Sequence, residues 1–352
     1  MKPTIYSLPP RLTDNPYITH LHEALADRYD IHVGSLWHAL WSMLRRPQLA
    51  IFHIHLFDEI IQRPQWFWAW VRMVFFVALL MILRWRGVHI LWTVHNLRPH
   101  TCWHDDIAHK SVQHVINQSH ALTCHHEVTR QHILTKYHVT IPISVVPHGH
   151  TPQPFGPLMS RHQARLHLGL DQEMPLFLCL GMIRPYKGID TLIEAMHALP
   201  QAHVIIAGLP SDKHYLSRIH HQTAGHANIS VKPYYLPDHE AAIYLSACDG
   251  LVLPYRAITT SGMLVHAQAA GVVCVVPDLP PLAEQVQDGV NGFVYAAGSV
   301  DDLVNTLKRL IAHPQRDTIG LRARSQLQSH TWEHVAKQMH IVYARFFDVT
   351  AH

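Results

Sequence analysis

Short apolar runs alternate with helical patterns along the whole chain, and this alternation restricts the fold more than any other feature. In the first part the runs are Thr4–Leu8, Ile31–Val33, Leu49–Leu56, Val88–Val94, Ala121–Cys124 and Ile143–Pro147. In the second they are Leu176–Leu180, Ala202–Ala207, Ile229–Pro233, Gly250–Pro254, Val272–Val276 and a short edge run, Phe293–Tyr295. Strand, helix and strand in this order call for right-handed crossovers and parallel sheets covered on both faces. The chain has 352 residues, too many for one core at ~100–200 residues per domain. The connector Gly149–Pro157, rich in Gly and Pro, separates the two sets of runs. We therefore expect an α/β chain of two doubly wound domains, 1–157 and 158–331, with a last helix at Trp332–Phe347.

Composition narrows the function classes. The net charge of +3 is too small to argue for nucleic acid, and no basic run is interleaved with aromatics. The 34 His are scattered as pairs and singles. Pairs such as His53 and His55, or His125 and His126, invite a metal reading. No His-Glu-x-x-His or Cys-x-x-Cys accompanies them, so no metal site is expected. The five Cys are widely spaced, and Cys179 and Cys274 lie in apolar runs. This predicts reduced thiols and a cytoplasmic protein. The N-terminus is too short and polar around its apolar stretch for a signal peptide.

One segment stands apart. Gln65–Leu83 is apolar almost all round, contains Arg72, and is followed by Arg84 and Arg86. It approaches the ~20 residues that a membrane span needs. A span would place neighbouring strands on opposite sides of a membrane, so two other readings are preferred. One is a buried crossover helix. The other is a helix lying in the membrane interface, with Trp at headgroup depth.

Two stretches carry chemistry. Gly181-Met-Ile-Arg-Pro-Tyr-Lys-Gly188 follows an apolar strand and precedes a helix that begins at Ile189. An open α/β sheet places its ligand at such a strand end. Glycine permits close approach of backbone, a helix N-terminus offers free N–H groups, and Arg184 and Lys187 supply fixed cations. Gly181, Arg184 and Lys187 thus point to a phosphate or diphosphate. In the second stretch, strand Gly250–Pro254 leads through a polar loop into a helix near Ser261-Gly262. Ser261 can cap that helix, and the N–H groups of Gly262, Met263 and Leu264 form a second cradle. Two cradles in one half suit a nucleoside diphosphate.

These motifs resemble the group-one retaining glycosyltransferases, which use sugar nucleotides and have two facing Rossmann-like domains of the GT-B type. The likeness rests on Gly181-x-Ile-Arg-x-Tyr-Lys-Gly188, Asp249–Tyr255, Ser261-Gly-x-Leu264 through Gly271, and Glu284-x-Val-x-Asp-Gly-x-Asn-Gly-Phe293. Trp332–Tyr343 is similar to the terminal helix that crosses back onto the N-terminal domain, which would add 332–352 to the first unit. Asn15-Pro16-Tyr17, Thr93–Asn96 and Pro147–Gly149 resemble members acting on saccharide or lipid-linked acceptors. The resemblance implies a donor-sugar contact at His95. It also implies a nucleoside site at Tyr235 and Leu236, and sugar or acceptor contacts at Asn15, Asp58, Thr259 and Thr260. One departure stands out: His266 and Ile258 occupy the positions of the family's paired Glu, so His266 becomes the candidate for the ribose.

The expected activity is transfer of a sugar from a UDP- or GDP-sugar to a saccharide or polyprenyl-linked acceptor, in surface or exported polysaccharide synthesis. Arg184, Lys187 and helix N-termini would stabilise the leaving diphosphate, with no metal and no other cofactor. Without a carboxylate nucleophile, retention resembles front-face substitution. The chain would act in the cytoplasm, in contact with the inner leaflet through residues 66–86. Two other readings are a sugar-nucleotide epimerase of the same fold and a non-catalytic partner of another transferase.

Overall fold

A computed structural model describes residues 2–9, 16–32, 41, 43, 45, 47, 50–97 and 102–348. The chain divides into two units. One is Met1–Gly149 with Trp332–His352, and the other is His150–Thr331. The division falls at the first residue of the Gly- and Pro-rich connector, so the connector itself goes with the second unit.

Each unit holds one six-stranded parallel sheet. The first contains β1 (Thr4–Leu8), β2 (Asp30–His32), β3 (Ala50–Ile54), β4 (His89–Val94), β5 (Ala121–Cys124) and β6 (Ile143–Val145), in the order β2-β1-β3-β4-β5-β6. The second contains β7 (Leu176–Leu180), β8 (His203–Ala207), β9 (Ile229–Lys232), β10 (Gly250–Val252), β11 (Cys274–Pro277) and β12 (Phe293–Tyr295), in the order β12-β11-β10-β7-β8-β9. The strand order reverses beside β1 in the first sheet and between β7 and β10 in the second. A crevice opens at such points outside the carboxyl ends of the strands.

Burial on both faces explains why the strands read as continuous apolar runs. All five residues of β3 and of β7 are buried. On one face of the first sheet, Phe52, Ile54, Ile90, Trp92 and Val94 pack with Met73, Phe76 and Leu80. On the other, Ile5, Ile51 and Leu91 pack with Tyr17, Ile18 and Leu21 and with Val335, Met339 and Tyr343 of the last helix, Trp332–Asp348. That helix follows the second sheet in sequence yet closes the core of the first.

The helix Trp66–Trp85 is the crossover between β3 and β4, which pair directly in parallel. Both of its ends return to one sheet, so it does not span a membrane, although its length and composition would allow it. The buried-crossover reading needs correction as well. Ala69, Met73, Phe76, Leu80 and Leu83 form a single buried stripe. Only 28% of its most apolar window is buried. Phe67, Trp68, Phe75, Met81, Ile82 and Trp85 are exposed. Arg84, exposed, donates from Nη1 to the carbonyls of Gln118 and Ser119 at 2.9 and 3.0 Å, at the end of helix Asp105–Gln118.

The second unit has its own staple at the opposite, amino edge of the sheet. Asp249, just before β10, is buried beside Arg165, which is 0% exposed. Its carboxylate pairs with Arg161 at 2.6 Å, Arg165 at 3.0 Å and Arg316 at 3.3 Å, and accepts the Leu176 N–H at 2.7 Å. Arg165 also donates to the carbonyls of Ala247, Asp171, Gln172 and Met174. One guanidinium and one carboxylate thereby satisfy the chain entering both central strands.

Candidate functional site

The loop Gly181–Gly188 leaves β7 at the point where the second sheet reverses its strand order. The backbone of Ile183 bonds to Leu209 at 2.8 Å, and residues Pro185–Lys187 form a single 3-10 turn. Gly188 closes the turn with φ 65°, and a methyl group there would overlap the Pro254 carbonyl oxygen. Glycine at 188 is therefore what lets this loop lie on the loop after β10. The Arg256 N–H donates to the Tyr186 carbonyl at 2.9 Å and fixes the same contact.

The two loops meet through side chains as well. Lys187 Nζ donates to the Tyr255 hydroxyl at 3.0 Å and lies 4.2 Å from the centre of that ring. The Tyr255 hydroxyl is 3.2 Å from Ser261 Oγ. Ser261 is 3% exposed and caps the helix Gly262–Ala269 by accepting the Leu264 N–H at 3.2 Å. Lys187, Tyr255, Ser261 and the helix N-terminus thus form one connected chain. Sequence reasoning found both cradles but missed Tyr255, whose hydroxyl joins them. Its only signal was its place one residue past the apolar run.

Charge at this site is unbalanced in one direction. Asp190, the nearby carboxylate, is taken by Arg256 and by the Tyr215 hydroxyl. Among the described residues neither Arg184 nor Lys187 has a carboxylate partner. Arg184 Nε and Thr260 Oγ1 are buried and unpaired there. Half-buried cations without counter-charge are costly unless an anion arrives. Free N–H groups of Gly262 and Met263 face the same need. The arrangement can hold a diphosphate, with Arg184 and Lys187 as cations and the helix end as a neutral donor set.

The remaining expected residues fall as follows. Tyr235 is 60% exposed after β9, whereas Leu236 is buried in the core beside β7 and β10. His266 lies on the helix Gly262–Ala269, its ring edge-on to Phe155 of the connector at 6.1 Å. Thr259 is half-buried in the loop before Ser261. In the first unit, Asp58 opens the four-residue helix Asp58–Ile61. His95 follows β4 within a group of buried histidines. Asn15 lies outside the described residues.

The chain is similar to known proteins both in sequence and in structure. Residues 160–326 match the profile of the family described as Glycosyl transferases group 1. The chain is 27% identical over 287 residues to a GDP-mannose:glycolipid 4-beta-D-mannosyltransferase of Xanthomonas campestris pv. campestris, covering 80% of this chain and 75% of that protein. It is 30% identical over 192 residues to a D-inositol 3-phosphate glycosyltransferase of Mycolicibacterium gilvum, covering 53% of this chain and 42% of the relative. Among solved structures it superposes on sucrose-phosphate synthase of Thermosynechococcus elongatus with a TM-score of 0.76 at 17% identity, over 99% of this chain and 100% of the other. It superposes on Anabaena Alr3699/HepE, solved with UDP and glucose, with a TM-score of 0.75 at 14% identity, over 97% and 99%. At such identities the two structures show the fold, and it is the two-sheet GT-B fold.

Proposed function

We propose that this chain, whose residues 160–326 match the profile of the Glycosyl transferases group 1, moves a sugar from a nucleoside diphosphate sugar to a saccharide or glycolipid acceptor. The observation that carries this reading is the uncompensated pair Arg184 and Lys187 at the strand-order reversal, tied through Tyr255 to the Ser261 helix end. UDP- and GDP-sugars both present the diphosphate this site fits. The glycolipid acceptor and GDP-mannose are suggested by the Xanthomonas relative's name, and UDP by the HepE complex.

The chemistry follows from charge. As the bond from the anomeric carbon to the diphosphate oxygen breaks, its electron pair moves onto the leaving phosphate. Lys187, Arg184 and the free N–H groups of Gly262 and Met263 would receive that charge, while the Leu264 N–H stays with its cap, Ser261. The acceptor oxygen bonds to the anomeric carbon, and its proton passes to the departing phosphate oxygen. This front-face course retains configuration and runs without a metal. A second course is favoured by one observation, since the Xanthomonas relative is named for a β product. A β-linked product from an α-linked sugar nucleotide would mean inversion.

Membrane-bound acceptors give the exposed face of Trp66–Trp85 a use. Its aromatic residues suit the headgroup boundary of the inner leaflet, and Arg72 and Arg86 suit anionic lipid. The chain would then work in the cytoplasm, on the membrane surface, in polysaccharide or glycolipid assembly.

Incubation with labelled GDP-mannose and UDP-glucose plus bacterial lipid extract tests the reading. Free nucleotide with a labelled lipid product is expected, undiminished by EDTA. The anomeric configuration of the product decides between the two courses. Interconversion of the sugar nucleotides without transfer would make the chain an epimerase. Absence of nucleotide binding would sink both.

A further inference from the structure

Adjacent strands of the first sheet run out into histidine. His55 follows Ile54 of β3, His95 follows Val94 of β4, His125 follows Cys124 of β5, and His148 stands just beyond β6. Parallel strands lie about 4.8 Å apart. The ring centroids keep nearly that spacing, at 5.5 Å from His55 to His95, 5.0 Å from His95 to His125, and 5.4 Å from His125 to His148. The Tyr17 ring packs edge-on against His55, His95 and His125 at 5.8, 4.8 and 5.5 Å. This row marks the carboxyl edge of the sheet, near its own reversal of strand order, where ligands bind.

Three of these rings form a directed chain. His125 Nδ1 is 2.9 Å from the Val146 carbonyl oxygen. A carbonyl can only accept, so that nitrogen carries the proton and His125 Nε2 is left with a lone pair. His95 Nδ1, at 3.2 Å, must then donate to it. His95 Nε2 in turn accepts from His55 Nδ1 at 3.2 Å. One backbone carbonyl thereby sets the tautomer of all three neutral rings, and the last free lone pair falls on His55 Nε2. Burial and the neighbouring histidines hold His55 and His95 well below the ordinary histidine pKa, which keeps the rings neutral. Both nitrogens of His95, the residue expected to touch the donor sugar, are used within the row.

His55 is 1% exposed, and its Nε2 has no hydrogen-bond partner among the described residues. A buried acceptor left unmade needs an explanation. Relief by reversing the tautomers is barred, because it would set the His125 lone pair against the Val146 oxygen. A phosphate or carboxylate oxygen would meet the lone pair with another. A hydroxyl fits. We propose that His55 is a specificity-determining residue whose Nε2 accepts a hydrogen bond from a hydroxyl of the acceptor sugar, with His95, His125 and the Val146 carbonyl as its positioning relay. This rests on the glycosyltransferase reading given above.

The test joins a spectroscopic arm to a kinetic one. In the full chain labelled with 15N-histidine, long-range proton–nitrogen correlation at pH 7.5 should show His55, His95 and His125 as neutral Nδ1–H tautomers. Titration with methyl glycosides of mannose, glucose, N-acetylglucosamine and glucuronic acid should shift the His55 Nε2 resonance with at least one of them. With the lipid acceptor, His55→Phe should lower kcat/KM for acceptor about 10–100-fold while nucleotide affinity stays within twofold. Should that variant fail to fold, the labelled native chain still decides. An Nε2–H tautomer at His55, or no response to any glycoside, overturns the proposal. So does unchanged acceptor kcat/KM in a folded variant. Failure of all sugar transfer together with a glycoside response at His55 would instead reject the enzymatic reading and leave a saccharide site.

Discussion

Arg184 and Lys187 take part in no ion pair among the described residues, although Lys187 donates to the Tyr255 hydroxyl. Among the described residues neither has an acidic partner, so removing either should cost ligand affinity rather than stability. Each hydrogen bond to a charged group contributes about 1.5–3 kcal/mol. Arg184→Ala and Lys187→Ala should therefore each weaken GDP or UDP binding by about 10–100-fold, with the melting temperature nearly unchanged. Calorimetric titration of both nucleotides checks this, and unchanged affinity in both variants would remove the diphosphate assignment. Asp249 is the opposite case. It neutralises Arg161, Arg165 and Arg316 at a buried position. Asp249→Ala leaves those cations facing one another, and breaking such a group costs about 3–5 kcal/mol. The denaturation midpoint of the second unit should fall accordingly. The sequence shows Asp249 only as the residue before a strand. Its three arginines lie far from it in the chain, two on the helix Arg161–Leu168 and one at Arg316, which no local pattern reveals.

At the scale of elements, the helix Trp66–Trp85 separates packing from exposure on one apolar surface. Its inner stripe, Ala69, Met73, Phe76, Leu80 and Leu83, belongs to the sheet core. Trp68, Phe75 and Trp85 are 55, 73 and 80% exposed. Replacing these three by Ser should leave the fold intact and abolish co-sedimentation with vesicles of phosphatidylglycerol and phosphatidylethanolamine. Equal sedimentation of native chain and variant would count against membrane docking through this face. Periodicity could not separate the two faces, because almost every position is apolar. Burial divided them, since only the sheet side has a partner. The helix Gly262–Ala269 was easier to read. Ser at its start, Gly one residue on and an apolar continuation name its cap, and the Ser261 Oγ contact with Leu264 follows.

Across the whole molecule, histidine chemistry is concentrated in the first unit. His53, His55 and His95 lie well below their ordinary pKa because burial disfavours the charged ring, and burial takes His125 from 6.5 to about 4. In the unfolded chain these rings take up protons as pH falls through about 6.5. The folded unit does not, so the contribution of these neutral rings is complete above that value and declines as pH falls below it, the His125 share being lost by about 4. Each such ring contributes ~1.4 kcal/mol per pH unit within the window. Amide hydrogen exchange at pH 7.5 and pH 5.0 should show protection falling across β3, β4 and β5 much more than across β7 and β10. Equal losses in both sheets would contradict this account.

The sequence by itself determined the two parallel sheets, the connector between them and the two glycine-bearing loops that follow β7 and β10, because strand runs, caps and glycine turns are written within a few residues. Tertiary structure decided what depends on distant parts of the chain. It placed the helix Trp332–Asp348 in the core of the first unit, joined Lys187 to Ser261 through Tyr255, and aligned His55, His95 and His125 into one directed chain. Those histidines stand 40 and 30 positions apart, a spacing set by the length of each crossover. Pairing of the parallel strands, which fixes register, brings them to neighbouring positions on one edge, and a single carbonyl then orients all three.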